Sequence, residues 1–178
     1  MDTTVKHVGA LVVAALRAAH PYEEPAFHIL ELAPTDTAHG IGRIGKLATP
    51  MTAAEFAQQV AQVLPQTVTG VRLAGPADRI IQWVAVLAGA GDSHLETAHR
   101  AGVDAYVTSD LRHHPATEAR AWSDAPVLLD VAHWAAEWPW LPVLSDLVGA
   151  EFPRLTRHVS RLNTDAWAQR FEPVRPRR

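Results

Sequence analysis

From residue 67 onward short apolar runs alternate with helix-like stretches, and this alternation constrains the fold more than any other feature of the chain. TGVRLAG (69–75), IIQWVAVLAG (80–89), DAYVTSD (104–110) and APVLLDV (125–131) have the length and apolar content of strands. HLETAHRAG (94–102), the stretch from Pro115 to about Trp122, and HWAAEWPWLPVLSDLVGA (133–150) have the character of helices. Ser93 is placed to cap the first of these, and Pro139 and Pro142 impose a kink or break on the last. Strands separated by helices predict an α/β fold, one layered domain whose sheet is mixed or mostly parallel and flanked by helices. IIQWVAVLAG is almost continuously apolar, the pattern of a strand buried on both faces.

Upstream the pattern changes. Thr52 and Glu55 form a T-x-x-E capping box, which predicts a helix from about 52 to 64, closed by Pro65. Residues 5–19 read as a helix that stops at His20-Pro21, because proline disfavours the helical conformation in the residue before it. AFHILEL (26–32) alternates as a strand does. One helix and one strand cannot bury their apolar faces alone, so this segment either packs on the main domain or is what remains of another. Residues 33–40 are turn-rich. GIGRIGKL (40–47) carries Arg43 and Lys46 among glycines, which suits a basic loop steering an anion or a hairpin pairing with another subunit. RHVSR (157–161) reads as a last strand, and the Pro/Arg-rich end (169–178) is expected to be disordered.

Composition narrows the chemistry. The chain has no cysteine, so a metal here must be held by nitrogen and oxygen. It has ten histidines, several beside acids. The net charge of -3 gives no general attraction for nucleic acid. No apolar run reaches the roughly 18 residues of a membrane span, and no basic segment leads into an apolar one at the start. A cytoplasmic location is the expectation.

Four stretches can carry chemistry. In DVAHWAAEW (130–138), His133 and Glu137 stand four apart, hence on one helix face, just beyond the carboxyl end of a strand. That pair suits zinc, iron, manganese or nickel, and equally a surface ion pair. In TSDLRHHPA (108–116), Asp110, His113 and His114 can bind a metal or orient its ligands; alternatively Thr108, Ser109 and Asp110 cap a helix and the histidines are solvated. In AHPYEEPAF (19–27), Glu23 and Glu24 are adjacent and point different ways, which favours a packed turn over a shared proton. GAGDSH (89–94) can hold an anion on its backbone N–H groups, although a tight turn is the simpler reading.

The ordered set AHPYEEPAFHILEL, GIGRIGKL, WVAVLAGAGDSHLETAHRAGVDAYVTSDLRHH and LLDVAHWAAEW resembles the C-terminal half of the Nif-three-like dinuclear-metal family. Bacterial members carry the name GTP cyclohydrolase I type 2 homologue. The resemblance implies two related α/β halves facing a dinuclear metal site, a PII-like (CutA-like) domain inserted between them in many bacterial members, and a toroidal hexamer. It assigns residues 1–35 to a helix–strand remnant of the insert and 36–168 to the C-terminal domain. It implies that His133 and Glu137 are metal-ligand positions, and that Thr108, Asp110 and His114 line or support the site. Ser109 stands where the family motif has glycine. The family's first half, with two adjacent histidines and an aspartate as ligands, has no counterpart in these residues.

Three functions follow as expectations. One is half of a divalent-metal site, hydrolase-like, completed by a homo-oligomer or by a separately encoded N-terminal half. The second is a non-catalytic oligomeric scaffold. The third is a truncated, inactive family member. No membrane partner is expected.

Overall fold

A computed structural model describes residues 3–30 and 39–172. The chain divides into two compact units, Met1–His39 and Gly40–Arg178. In the first, helix α1 spans Thr3–Ala19 and ends before His20-Pro21, as the sequence predicts. The His20 N–H closes its last turn on the Leu16 carbonyl (2.9 Å), and the Arg17 guanidinium lies 5.5 Å from the Phe27 ring centre. The strand expected over 26–32 does not form across the described residues 26–30. A strand needs a neighbour for its backbone groups, and no strand of this unit is present among the described residues to supply one. Residues 31–32 of that expected strand, and the last six of the expected disordered tail, lie outside the described residues.

The second unit is a five-stranded mixed sheet in the order β1-β3-β4-β5-β2. β3 (Ile80–Ala90), β4 (Ala105–Ser109) and β5 (Val127–Val131) are parallel; the edges β1 (Arg43–Thr52) and β2 (Val71–Ala74) run antiparallel to their neighbours. The residues at 40–47, read as a basic loop or as a hairpin pairing with another subunit, are thus largely an edge strand paired with β3 of the same chain. Arg43 pairs with Val86 and Lys46 with Trp83, and the Lys46 ammonium sits 5.6 Å from the Trp83 ring centre. A polar edge of this kind discourages further strand pairing.

Helices cover both faces. α2 (Ala53–Val63) lays Ala53, Phe56 and Val60 on one face, against Val107, Val127 and Leu129. α3 (Leu95–Arg100) and α4 (His113–Arg120) lay Leu95, Ala98 and Ala119 on the other, against Tyr106 and Leu128. β4 and β5 are buried at every residue. Val127, Leu128 and Leu129 are at most 1% exposed, each adding about 1.5–3 kcal/mol of burial. The expectation of two-sided burial for 80–89 therefore belongs to β4 and β5. In β3, Ile80, Trp83 and Val86 are 45–58% exposed, because only β1 lies beyond it toward that edge.

The capping box of α2 is present: Glu55 N–H donates to Thr52 Oγ1 (3.2 Å) and Thr52 N–H to Glu55 Oε2 (2.8 Å). The Ala53 and Ala54 N–H groups find the Arg79 and Ala77 carbonyls, so all of these N-terminal donors are satisfied. Ser93 does not cap a helix. A short 3-10 turn, Asp92–His94, intervenes, and the Ser93 hydroxyl bonds His94 Nδ1 instead. Pro139 breaks the last helical stretch into α5 (His133–Glu137) and α6 (Trp140–Glu151), while Pro142 fits in the first turn of α6. Residues 157–161 form no strand; they lie along α5 and α6, where the Trp138 indole N–H donates to the Ser160 carbonyl (2.9 Å) and Arg157 bonds the Ser145 carbonyl. No helix among the described residues is long and apolar enough to cross a membrane.

Candidate metal centre

The carboxyl ends of the three parallel strands converge on His133. β5 runs into α5 through Ala132, which makes His133 the first residue of the helix and puts Glu137 one turn further on the same face. Asp110 follows β4 directly and reaches across, its Oδ2 lying 2.6 Å from His133 Nδ1. It does so from the left-handed region (φ 57°), which aspartate tolerates better than most residues. On the other side of the ring, His133 Nε2 lies 3.1 Å from Glu137 Oε1.

The end of β3 passes directly beneath this pair. Gly89 has φ +78°, and a Cβ there would stand 2.8 Å from Glu137 Oε1 and 3.2 Å from His133 Nε2. Gly91 is as constrained: a Cβ would meet Thr108 Oγ1 at 2.0 Å. Thr108 is 1% exposed and donates to the Gly89 carbonyl (3.0 Å); the Tyr106 hydroxyl donates to the Gly91 carbonyl (3.0 Å). Burial pushes the Tyr106 phenol up, so it remains a donor at neutral pH. The 89–94 stretch is therefore a turn pressed against its neighbours, and its glycines make room for the groups above and below.

Protonation follows from these contacts. The hydrogen bond to Asp110, reinforced by the charges of Glu137 and Asp110, raises the His133 pKa above its usual 6.5 against the smaller opposing effect of burial. With Nδ1–H donated to Asp110, Nε2 and Glu137 Oε1 are two electron-pair donors facing each other, and a cation between them resolves the conflict. A proton does so in the imidazolium form; a metal ion can take the same place.

The cleft above the pair has a volume of about 400 Å³ and is walled by Trp134, Asp130, Arg72 and the 164–167 segment. Two residues of the cleft, and one beneath the His133–Glu137 pair, carry roles that sequence reasoning did not assign. Asp130, 7% exposed, accepts the Leu111 N–H on Oδ1 (2.9 Å) and Arg72 Nε on Oδ2 (2.8 Å), which fixes the turn that carries Asp110. A carboxylate near the end of the apolar run APVLLDV was the available signal, since buried acids are rare unless paired. Asp165 adds a further carboxylate with one buried oxygen, and no local pattern connects it to residue 133. Gly89 is the third. Of the expected supporting residues, Asp110 touches His133 and Thr108 acts one step away through Gly89. His114 is exposed, packs its ring against His113 (centroids 5.2 Å apart), and is not among the residues of the cleft. Among the described residues no three His, Asp or Glu side chains form a ready metal cage, consistent with Asp110 engaging the far nitrogen of His133.

An α/β domain with an oriented histidine–carboxylate pair at the carboxyl ends of its parallel strands is the class defined by this geometry. The family model described as Duf34/NIF3 (NGG1p interacting factor 3) matches residues 5–166, and the chain belongs to that family. A Mycobacterium leprae protein named GTP cyclohydrolase 1 type 2 homolog is 48% identical over 159 residues, covering 89% of this chain and 41% of that protein. Among solved structures, a Bacillus cereus protein related to NIF3 aligns with TM-score 0.64 at 32% identity, covering 92% of this chain and 45% of that one. A Staphylococcus aureus protein aligns with TM-score 0.66 at 26% identity, covering 95% and 53%. The chain thus spans under half the length of the M. leprae relative.

Proposed function

We propose that this domain supplies His133 and Glu137 as two protein ligands of a divalent-metal site, with zinc, iron, manganese or nickel as the candidate ions. The observation that carries the reading is the opposition of His133 Nε2 and Glu137 Oε1 at 3.1 Å over a glycine backbone. The donor set fits: imidazole nitrogen and carboxylate oxygen suit these ions, and the missing Cβ of Gly89 leaves space beside both atoms. Asp110 holds the Nδ1 proton, which fixes the tautomer and directs the Nε2 lone pair toward the ion. A bound divalent ion would supply Lewis acidity for a hydrolase-like reaction. Two protein ligands fall short of the roughly four donors of a tight zinc site, so further ligands would come from another polypeptide, such as a separately encoded N-terminal half. Elemental analysis and calorimetric titration with each ion test the reading, with anomalous scattering to locate the ion. Binding that requires His133 is expected; no bound metal, with or without a candidate partner half, overturns it.

A second reading, a scaffold built by self-association, is favoured by α6. That helix buries none of its residues, and its Trp140, Val143, Leu144 and Leu147 are 41–56% exposed. Apolar surface of this kind usually marks an interface, and a second copy of the chain is the occupant proposed. Sedimentation is expected to give an oligomer; a stable monomer at high concentration contradicts it.

A further inference from the structure

One face of α4 is turned to a cavity and carries no large apolar side chain. His113, Ala116, Thr117 and Arg120 follow the i, i+3, i+4, i+7 spacing of a single helical stripe, and they wall a cavity of about 430 Å³ between α4 and strands β5 and β2. Arg72 and Arg112 complete its charged rim, and Asp130 is the one carboxylate that lines it. Both oxygens of Asp130 are engaged, Oδ1 by the Leu111 N–H and Oδ2 by Arg72. Arg112 is paired with Asp92 (2.6 Å).

Arg120 differs from the other two arginines. Its Nη1 donates to the carbonyls of Ala125 (3.1 Å) and Pro126 (2.7 Å), and no carboxylate among the described residues lies within ion-pair distance. Burial, together with the charge of Arg79, presses its pKa below the usual arginine value, although a guanidinium stays charged. The backbone makes room for it: at Gly75 (φ +134°) a Cβ would stand 3.2 Å from the Arg120 Cζ. A half-buried cation facing a cavity whose one carboxylate, Asp130, is already engaged by Arg72 and the Leu111 N–H is costly unless an anion arrives.

We propose that this cavity binds a phosphate group, as free phosphate or as the monoester of a small molecule, with Arg120 and Arg112 as its principal cationic contacts. The guanidinium fork matches phosphate oxygens in pairs, and its five donors outnumber the bonds each arginine already makes. Arg72 and Asp130 border both this cavity and the His133 cleft, so an ester held here can extend past their ion pair toward His133. The phosphate site itself is independent of the metal reading and is testable on metal-free protein.

The experiment is calorimetric titration of the full chain with inorganic phosphate and with glycerol phosphate, against chloride at matched ionic strength. Thr117, exposed on the α4 stripe, is the position to alter, because the arginines also hold structure. Thr117→Glu places a like charge beside the bound anion and is expected to weaken binding by about tenfold or more. Thr117→Gln, similar in size and neutral, is expected to change it by less than about twofold, with circular dichroism confirming both folds. Tighter binding of glycerol phosphate than of phosphate supports the site and selects an ester; the reverse supports it and selects the free anion. Absence of binding by both probes, or equal affinity of the Glu and Gln variants, overturns the proposal.

Discussion

Helices α4 and α5 both begin where a parallel strand ends, and both begin with histidine. α4 opens with two, His113 and His114, which in sequence form the more conspicuous motif. These rings are exposed and meet only each other among the described ring contacts. α5 opens with one, His133, gripped on Nδ1 by Asp110 and facing Glu137 on Nε2. The number of donor atoms in a motif therefore says less than whether a neighbouring carboxylate fixes their direction. A ligand held in one tautomer and one orientation loses little entropy on binding, whereas solvated histidines must be ordered first.

The contrast can be broken by experiment. His133→Ala is expected to have the largest effect, a loss of metal affinity of more than roughly 100-fold by calorimetry, since it removes a ligand outright and not merely its support. If instead metal binding follows His113 and His114, the comparison fails. Gly89→Ala comes next. It forces a side chain into a left-handed backbone beneath the pair, at a stability cost of at least about 1 kcal/mol by thermal denaturation, with metal affinity reduced as Glu137 is displaced.

Asp110→Asn sharpens the comparison, because it keeps the shape and removes the charge that orients His133. About a tenfold loss of affinity is expected. Its signature is also a pH shift. Because the folded-state pKa of His133 is raised above 6.5, the protonated ring's contribution to stability is full below that unfolded value and is lost as pH rises through the folded one. Metal competes with the same proton, so affinity weakens as pH falls through the raised pKa. Asp110→Asn moves that midpoint to lower pH, readable by NMR titration of the ring; an unmoved midpoint rules out Asp110 as the orienting group. The smallest effect is expected of the double change His113→Ala, His114→Ala, less than about twofold in metal affinity.

The parts of the fold legible in sequence are those determined locally. The T-x-x-E box, the proline after α1 and the proline between α5 and α6 act within a few residues of themselves, and each element ends where its signal falls. Strands are decided by partners. GIGRIGKL (40–47) read as a basic loop or an intersubunit hairpin because of its glycines and charges, yet β3 pairs with its residues from Arg43 on; 26–30 and 157–161 looked like strand and found no partner. The site divides in the same way. His133 and Glu137 are one helical turn apart, so their spacing was readable. The hold of Asp110 on His133, the bracing of its turn by Asp130, and the passage of Gly89 beneath the pair depend on three strands lying side by side, which no local pattern encodes.

Thr52 ends β1 and caps α2, so no loop separates edge strand from helix. A slip of β1 by one residue against β3 would turn its side chains to the opposite face and carry the capping hydroxyl away from the Glu55 N–H. Sheet alignment and helix start are thus a single decision: the edge cannot fray alone, and strand and helix detach together or stay together.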